Sequence, residues 1–176
     1  MKLIILNGPV GVGKTTLAKK LQERLPLSFF IHFDELRRHI GDYRKNADES
    51  RALTFYLAFA IAEACFKQNK DVLIDKIMYN MLEKEQTKTS LTKLIEIAKK
   101  HGATIHEFII WADKETVLKR LEDRGYREGG LLTPEKAEMF WEEMDKFKDE
   151  RSGAEIIDTT KLTPDEVVKK IWKIIA

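Results

Sequence analysis

The sequence predicts an α/β domain built on a parallel sheet, and three observations predict it. Short strand-like runs alternate with longer stretches of helical periodicity along the whole chain. The first and third runs, Leu3–Leu6 and Val72–Ile74, are apolar throughout, as suits strands covered on both faces. The glycine-rich stretch Gly8-Pro-Val-Gly-Val-Gly-Lys-Thr15 stands between the first run and the first helical stretch. At 176 residues the chain fits one domain, 1–176, with a full core.

Leu3–Leu6 is the first strand, and Lys14–Leu25 the first helix, stopped before Pro26. Phe29–Phe33 reads as a short aromatic strand that ends at Asp34. Glu49–Lys67 carries Leu53, Phe55, Tyr56, Phe59, Ile61 and Phe66, apolar on nearly all sides, and reads as a buried helix. Val72–Ile74, closed by Asp75, is the third strand. A helix over Thr89–His101 has Leu91, Leu94, Ile95 and Ala98 on one face and Gly102 to end it. Ile105–Trp111 is the fourth strand, and Asp113 is placed to cap a helix over Lys114–Asp123. Beyond a glycine-interrupted loop, Thr133-Pro134 opens a charged helix to about Glu150, whose Phe140, Met144 and Phe147 form a packing stripe. Glu155–Asp158 is the fifth strand. Thr163-Pro-Asp-Glu166 is a capping box that opens the last helix, with Val167, Val168, Ile171 and Ile175 toward the core. Such alternation requires right-handed crossovers, and parallel sheets bind ligands at the carboxyl ends of their strands. The glycine-rich loop, Asp34 and Asp75 should therefore meet in one cleft.

Composition narrows the partners. Thirty-one Lys and Arg against 29 Asp and Glu leave a net charge of +2, so the global field draws neither nucleic acid nor membrane. Cys65 is alone in an apolar run, which excludes an intramolecular disulfide framework and reads as a buried, inert thiol. The longest apolar stretch, Ala58–Ala64, is interrupted by Glu63 and too short to span a bilayer, so a cytoplasmic protein is expected. The four histidines, His32 among them, show no metal-ligand spacing.

Gly8 to Thr15 fits G-x-x-x-x-G-K-[ST], the P-loop. Gly8, Gly11 and Gly13 allow positive φ and bring backbone N–H groups, that of Val12 included, close to phosphate oxygens. The following helix adds its unpaired N–H groups, from Lys14, Thr15 and Thr16, and the positive end of its dipole. Lys14 supplies a cation to the β- and γ-phosphates, and the Thr15 hydroxyl a ligand to Mg²⁺. GTPases are excluded: Asn69-Lys70-Asp71-Val72 misses the N-K-x-D spacing, and no D-x-x-G occurs.

Three further sets of side chains could carry chemistry. Asp75, at the end of an apolar strand, could hold Mg²⁺ through water opposite Thr15; its alternative is a cap or a surface carboxylate. Asp34 could take the proton of an attacking hydroxyl, with Arg37, three residues on, binding an acidic group or the transferring phosphoryl. An aspartate at a strand-to-helix junction is also a common N-cap. Arg120 and Arg124 share a helix face, and Arg127 follows before Gly129 and Gly130. Together they read either as a mobile arginine flap at about 121–133 that closes on the γ-phosphate, or as pairs with Glu122, Asp123 and Glu128.

With these motifs in order, the chain resembles the small P-loop kinases: shikimate and gluconate kinases, chloramphenicol phosphotransferase, zeta toxins and polynucleotide 5′-kinases. The run Asp34-Glu-Leu-Arg37, the strand ending at Asp75, the arginine segment Arg120–Arg127 and the closing Ile157-Asp-Thr-Thr-x-Leu-Thr-Pro carry the resemblance. It implies a P-loop NTPase three-layer sandwich with strand order 2-3-1-4-5, ATP and Mg²⁺ as cofactors, Asp34 as general base, Arg120 or Arg124 on the ATP phosphates, and Asp158 and Thr159 near the adenine. The chain lacks the R-P-L run of shikimate kinases in the flap, which argues against shikimate as acceptor. The expectation is an ATP-dependent kinase that phosphorylates a hydroxyl of a small molecule, with Lys14, Asp34, Arg37, Arg120 and Arg124 as its catalytic candidates. A polynucleotide 5′-hydroxyl or nucleotide kinase and a nucleotide-sensing module are the alternatives.

Overall fold

The computed structural model describes residues 1–76, 86–126, 132–148 and 153–176, with 86–90 as backbone alone. A five-stranded parallel sheet runs β2-β3-β1-β4-β5, built from β1 (Lys2–Asn7), β2 (Phe29–His32), β3 (Val72–Asp75), β4 (Thr104–Trp111) and β5 (Glu155–Asp158). Its helices are α1 (Lys14–Gln22), α2 (Phe33–Arg38), α3 (Ala47–Lys67), α4 (Gln86–Lys100), α5 (Lys114–Arg124), α6 (Pro134–Lys148) and α7 (Pro164–Ile175). The expected strand order is the observed one. β1 shows why its sequence is apolar throughout. Ile4 and Leu6 enter one core with α1, α5 and α7, while Leu3 and Ile5 enter another with α3 and α4. A third, smaller cluster seats Met144, Phe140 and Phe147 of α6 on Ile109, the packing stripe expected there.

The local signals hold at most helix ends. Asp113 Oδ1 accepts the Thr116 N–H at 2.7 Å, and Thr163 and Glu166 form the reciprocal capping box of α7. Gly102, at φ +70°, lies just past α4. Three expectations are corrected. The helix α1 ends at Gln22 rather than Leu25, because Arg24 and Leu25 donate to carbonyls three residues back and tighten the last turn before Pro26. Phe33 belongs to α2, so β2 stops at His32 and Asp34 lies in the first helical turn. α3 is buried on one face only, and Leu53 and Tyr56 are 46% and 64% exposed. An outer-layer helix has a single sheet to cover; part of its other side is screened by the Lys93 ammonium, 5.6 Å from the Tyr56 ring and 5.2 Å from Phe59. Cys65 is half-buried, and that burial raises its thiol pKa. Among the described residues no helix is long and apolar enough to cross a membrane.

Candidate active site

The loop between β1 and α1 is shaped by its neighbours before any ligand is considered. Asn7, fully buried at the end of β1, accepts the Gly8 N–H on Oδ1 at 2.8 Å. Gly8 (φ +141°) presses on β4, where a Cβ would stand 2.1 Å from the Ile110 carbonyl oxygen. Gly11 (φ +88°) presses on α5, where a Cβ would stand 2.8 Å from Leu121 Cγ. Gly13 differs: at φ +93° it is exposed, with nothing within 4 Å of an added Cβ, and it is the N-cap of α1. The loop is thus packed at Gly8 and Gly11 and open at Gly13, where α1 begins. Val12 is buried in the core beneath the loop, and Thr16 is exposed.

Lys14 curls back over the loop and donates from Nζ to the carbonyls of Gly8 (2.8 Å) and Pro9 (2.7 Å). It keeps some open surface, yet the crowding of protein atoms around it lowers its pKa from the ordinary 10.5 to about 8, against the opposing pull of Asp75 and Asp34. Phosphate oxygens would supply what this ammonium lacks.

Beside the loop, Thr15 Oγ1 donates to Asp75 Oδ2 at 2.5 Å. Asp75 is 5% exposed, and its Oδ1 has no hydrogen-bond donor among the described residues. His32 Nδ1 lies 3.0 Å from that oxygen without the alignment of a hydrogen bond, and the Asp75 carboxylate raises the imidazole pKa. The β2–β3 register pairs His32 with Asp75, which is how this histidine reaches the site. A buried carboxylate with a spare oxygen beside a threonine hydroxyl fits a hard divalent cation that keeps most of its water.

Asp34 is exposed, and the α2 N-cap is His32, without a side-chain capping bond. Asp34 therefore does not serve as that cap. Its charge acts on both Lys14 and Lys76, opposing the burial that lowers their pKa values. Arg37, one turn along α2, is already engaged: Nε donates to Ser50 Oγ (3.0 Å), and Nη2 to the carbonyls of Ala47 (2.8 Å) and Tyr43 (3.5 Å). It fastens α2 to the first turn of α3, and its Nη1 has no partner among the described residues. Lys76 was not singled out by sequence reasoning. It directly follows Asp75 at the carboxyl end of β3, where a parallel sheet presents ligand contacts, and that position was the available signal. Burial lowers its pKa, with Asp34 opposing.

The two flap arginines separate. Arg120 donates from Nη1 to Thr159 Oγ1 (3.2 Å) and from Nη2 to the Thr159 carbonyl (2.8 Å), tying α5 to the end of β5. Thr159 is buried and itself bonded to the Trp111 carbonyl, while exposed Asp158 accepts the Thr160 N–H at 2.8 Å. Arg124, one turn further and exposed, is near enough to Lys14 to act on its charge. Gly125, at φ +77°, ends α5. Arg127, Gly129 and Gly130, and with them residues 127–131 of the expected flap, lie outside the described residues.

Residues 3–148 match the family described as AAA domain (AAA_33). A protein of Pyrococcus furiosus named "Putative adenylate kinase" is 29% identical over 174 residues, 98% of this chain and 83% of its own. Among solved structures, the tunicamycin resistance protein of Deinococcus radiodurans superposes with a TM-score of 0.65 at 19% identity, over 99% of this chain and 96% of that one. A gluconokinase from Sinorhizobium meliloti 1021 does so with a TM-score of 0.63 at 17% identity, over 96% and 88%. At such identities the two structures speak for the fold. Loop, sheet order and family match agree: the chain belongs to the AAA domain family AAA_33.

Proposed function

We propose that this protein is an ATP- and Mg²⁺-dependent phosphotransferase that moves the γ-phosphoryl group to a hydroxyl of a small molecule, with Asp34 as general base. The observation that carries the reading is Asp34 itself, an exposed carboxylate just past β2 whose charge reaches the P-loop lysine. In this scheme the amides from Gly11 to Thr16 and the Lys14 ammonium hold the phosphates, while the Gly8 N–H is spent on Asn7 Oδ1 and Pro9 has none, so Gly8 serves the loop's shape rather than its donors. Arg120, with Asp158 and Thr159, borders the nucleotide base, and Arg124 bears on the γ-phosphate. Thr15 and Asp75 would hold Mg²⁺, which supplies charge neutralisation across the β- and γ-phosphates. Arg37 offers Nη1 to the acceptor or the phosphoryl group. The acceptor O–H gives its proton to Asp34 as its oxygen bonds to the γ-phosphorus; the bond to the β,γ-bridging oxygen breaks and ADP leaves.

A second reading, a nucleotide kinase, is favoured by the name of the Pyrococcus relative. There the acceptor is a phosphate oxygen, already ionised, and no general base is needed. Transfer of labelled γ-phosphate to sugars, nucleosides, nucleotides, hydroxylated antibiotics and a 5′-hydroxyl oligonucleotide tests both. Asp34→Asn should lower hydroxyl transfer by about 10²- to 10⁴-fold while leaving ATP affinity within about twofold. Unimpaired transfer in the variant, above all to a nucleoside monophosphate, would overturn the hydroxyl-kinase reading.

A further inference from the structure

The face of the sheet that α1 covers is apolar until its last row. There Leu6, His32 and Asp75 stand side by side toward the carboxyl ends of β1, β2 and β3, because register pairs both Leu6 and His32 with Asp75. The row before it on the same face, Ile4, Phe30 and Leu73, packs in the core with α1. The His32 ring is stacked with that of Phe30, centroids 5.6 Å apart and planes 6° from parallel, so packing sets its place. From there Nδ1 approaches Asp75 Oδ1 at 3.0 Å.

Both atoms are closed to solvent, and neither has an aligned hydrogen-bond partner among the described residues. Two lone pairs would repel at that distance, so the nitrogen that faces Oδ1 carries a proton and brings its positive pole to the carboxylate. Among the described residues His32 is the one ion-pair partner of Asp75. The other carboxylate oxygen, Oδ2, accepts the Thr15 hydroxyl at 2.5 Å. A carboxylate turns readily about its Cβ–Cγ bond, and contacts on both oxygens are what hold its plane. A hydroxyl has one proton and two lone pairs, so a proton fixed on Oδ2 also fixes where the Thr15 lone pairs point.

We propose that His32 is a positioning residue of the metal site: its contact with Oδ1 fixes the plane of the Asp75 carboxylate and thereby aims the Thr15 hydroxyl at the divalent cation. This rests on the reading of Thr15 and Asp75 as the residues that hold Mg²⁺, and adds to it a residue that acts through Asp75. An apolar ring in the same place would stack on Phe30 as well, but it would leave Oδ1 buried without a positive partner and the carboxylate free to turn.

The test is calorimetric binding of a non-hydrolysable ATP analogue to the full chain, with and without Mn²⁺ in place of Mg²⁺, so that neither acceptor nor turnover is involved. The quantity read is the gain in affinity that the metal brings. His32→Phe keeps a ring on Phe30 and should lower that gain about tenfold or more, with metal-free affinity unchanged within about twofold. His32→Asn, whose Nδ2 can stand where Nδ1 stands, should keep most of the gain. Asp75→Asn should also lower it, and adding His32→Phe to that variant should cost no more than about twofold further, since the two residues act through one contact. Thermal unfolding is followed beside these titrations, and should His32→Phe not fold, His32→Ala takes its place in every comparison. An undiminished gain in His32→Phe, when Asp75→Asn loses it, overturns the proposal. So does a loss that His32→Asn shares, or one that adds in full to that of Asp75→Asn, because packing alone then accounts for it. Failure of the metal-site reading is distinct: Asp75→Asn then leaves the gain as it was, and the proposal falls with it.

Discussion

Nucleotide binding should be accompanied by proton uptake at Lys14. The ammonium sits among protein atoms that lower its pKa from 10.5 to about 8. In the unfolded chain it keeps its ordinary value, so between about pH 8 and 10.5 the unfolded chain binds more protons and stability rises with pH. Below that window the folded protein carries the whole penalty of enclosing the charge, roughly 3 kcal/mol at the most. Phosphates arriving beside Nζ reverse the balance. At pH 8 about half of the Lys14 side chains are neutral, and at pH 7 about a tenth. If binding restores the full charge, uptake is about 0.5 proton per nucleotide at pH 8 and about 0.1 at pH 7. Calorimetric titration with ATP analogue and Mg²⁺ in two buffers of different ionisation enthalpy reads this number directly. Lys14→Arg provides the control, because a guanidinium stays protonated throughout. No uptake by the unaltered protein at pH 8, or the same uptake by Lys14→Arg, would refute the argument.

Two further contrasts follow from the loop and the flap. Gly8→Ala should cost about 3 kcal/mol or more or prevent folding, since its Cβ would lie 2.1 Å from the Ile110 oxygen, whereas Gly13→Ala meets nothing and should lose only the ~1–2 kcal/mol of a left-handed alanine. Denaturant unfolding separates them, and equal losses would contradict the packing account. Arg120→Ala removes both bonds to Thr159 and should lower stability by about 1–2 kcal/mol and raise KM for ATP, while Arg124→Ala should keep stability within about 0.5 kcal/mol and lower kcat about a hundredfold or more. Steady-state kinetics beside thermal unfolding check the division, and an exchange of the two phenotypes would overturn it.

Much of the molecule was legible in one dimension because its signals are local. The P-loop, the capping box at Thr163–Glu166, the Asp113 cap and the glycine after α4 each depend on residues a few positions apart. Backbone sterics and unpaired helix-end groups act over that same range, so the sequence by itself determined these elements and, through strand-helix alternation, a parallel sheet. The strand order came through resemblance to a family. Glycine pattern alone did not reveal that Gly8 and Gly11 are required by β4 and α5, whereas a Cβ at Gly13 would meet open space. That depends on which elements lie behind the loop.

What only the tertiary structure decided is pairing across the sheet and between layers. Register places His32 beside Asp75, residues far apart in the chain. The crossing of α2 and α3 occupies most of the Arg37 guanidinium with Ser50 and the Ala47 carbonyl. The packing of α5 on the end of β5 turns Arg120 to Thr159 and leaves Arg124 near Lys14. α3 exposes Leu53 and Tyr56 although its sequence is apolar nearly all round, because an outer-layer helix has one sheet to cover. Hydrophobic periodicity records how much apolar surface a segment can bury, but not which neighbour will cover it, and long-range electrostatics depend on that choice of neighbour.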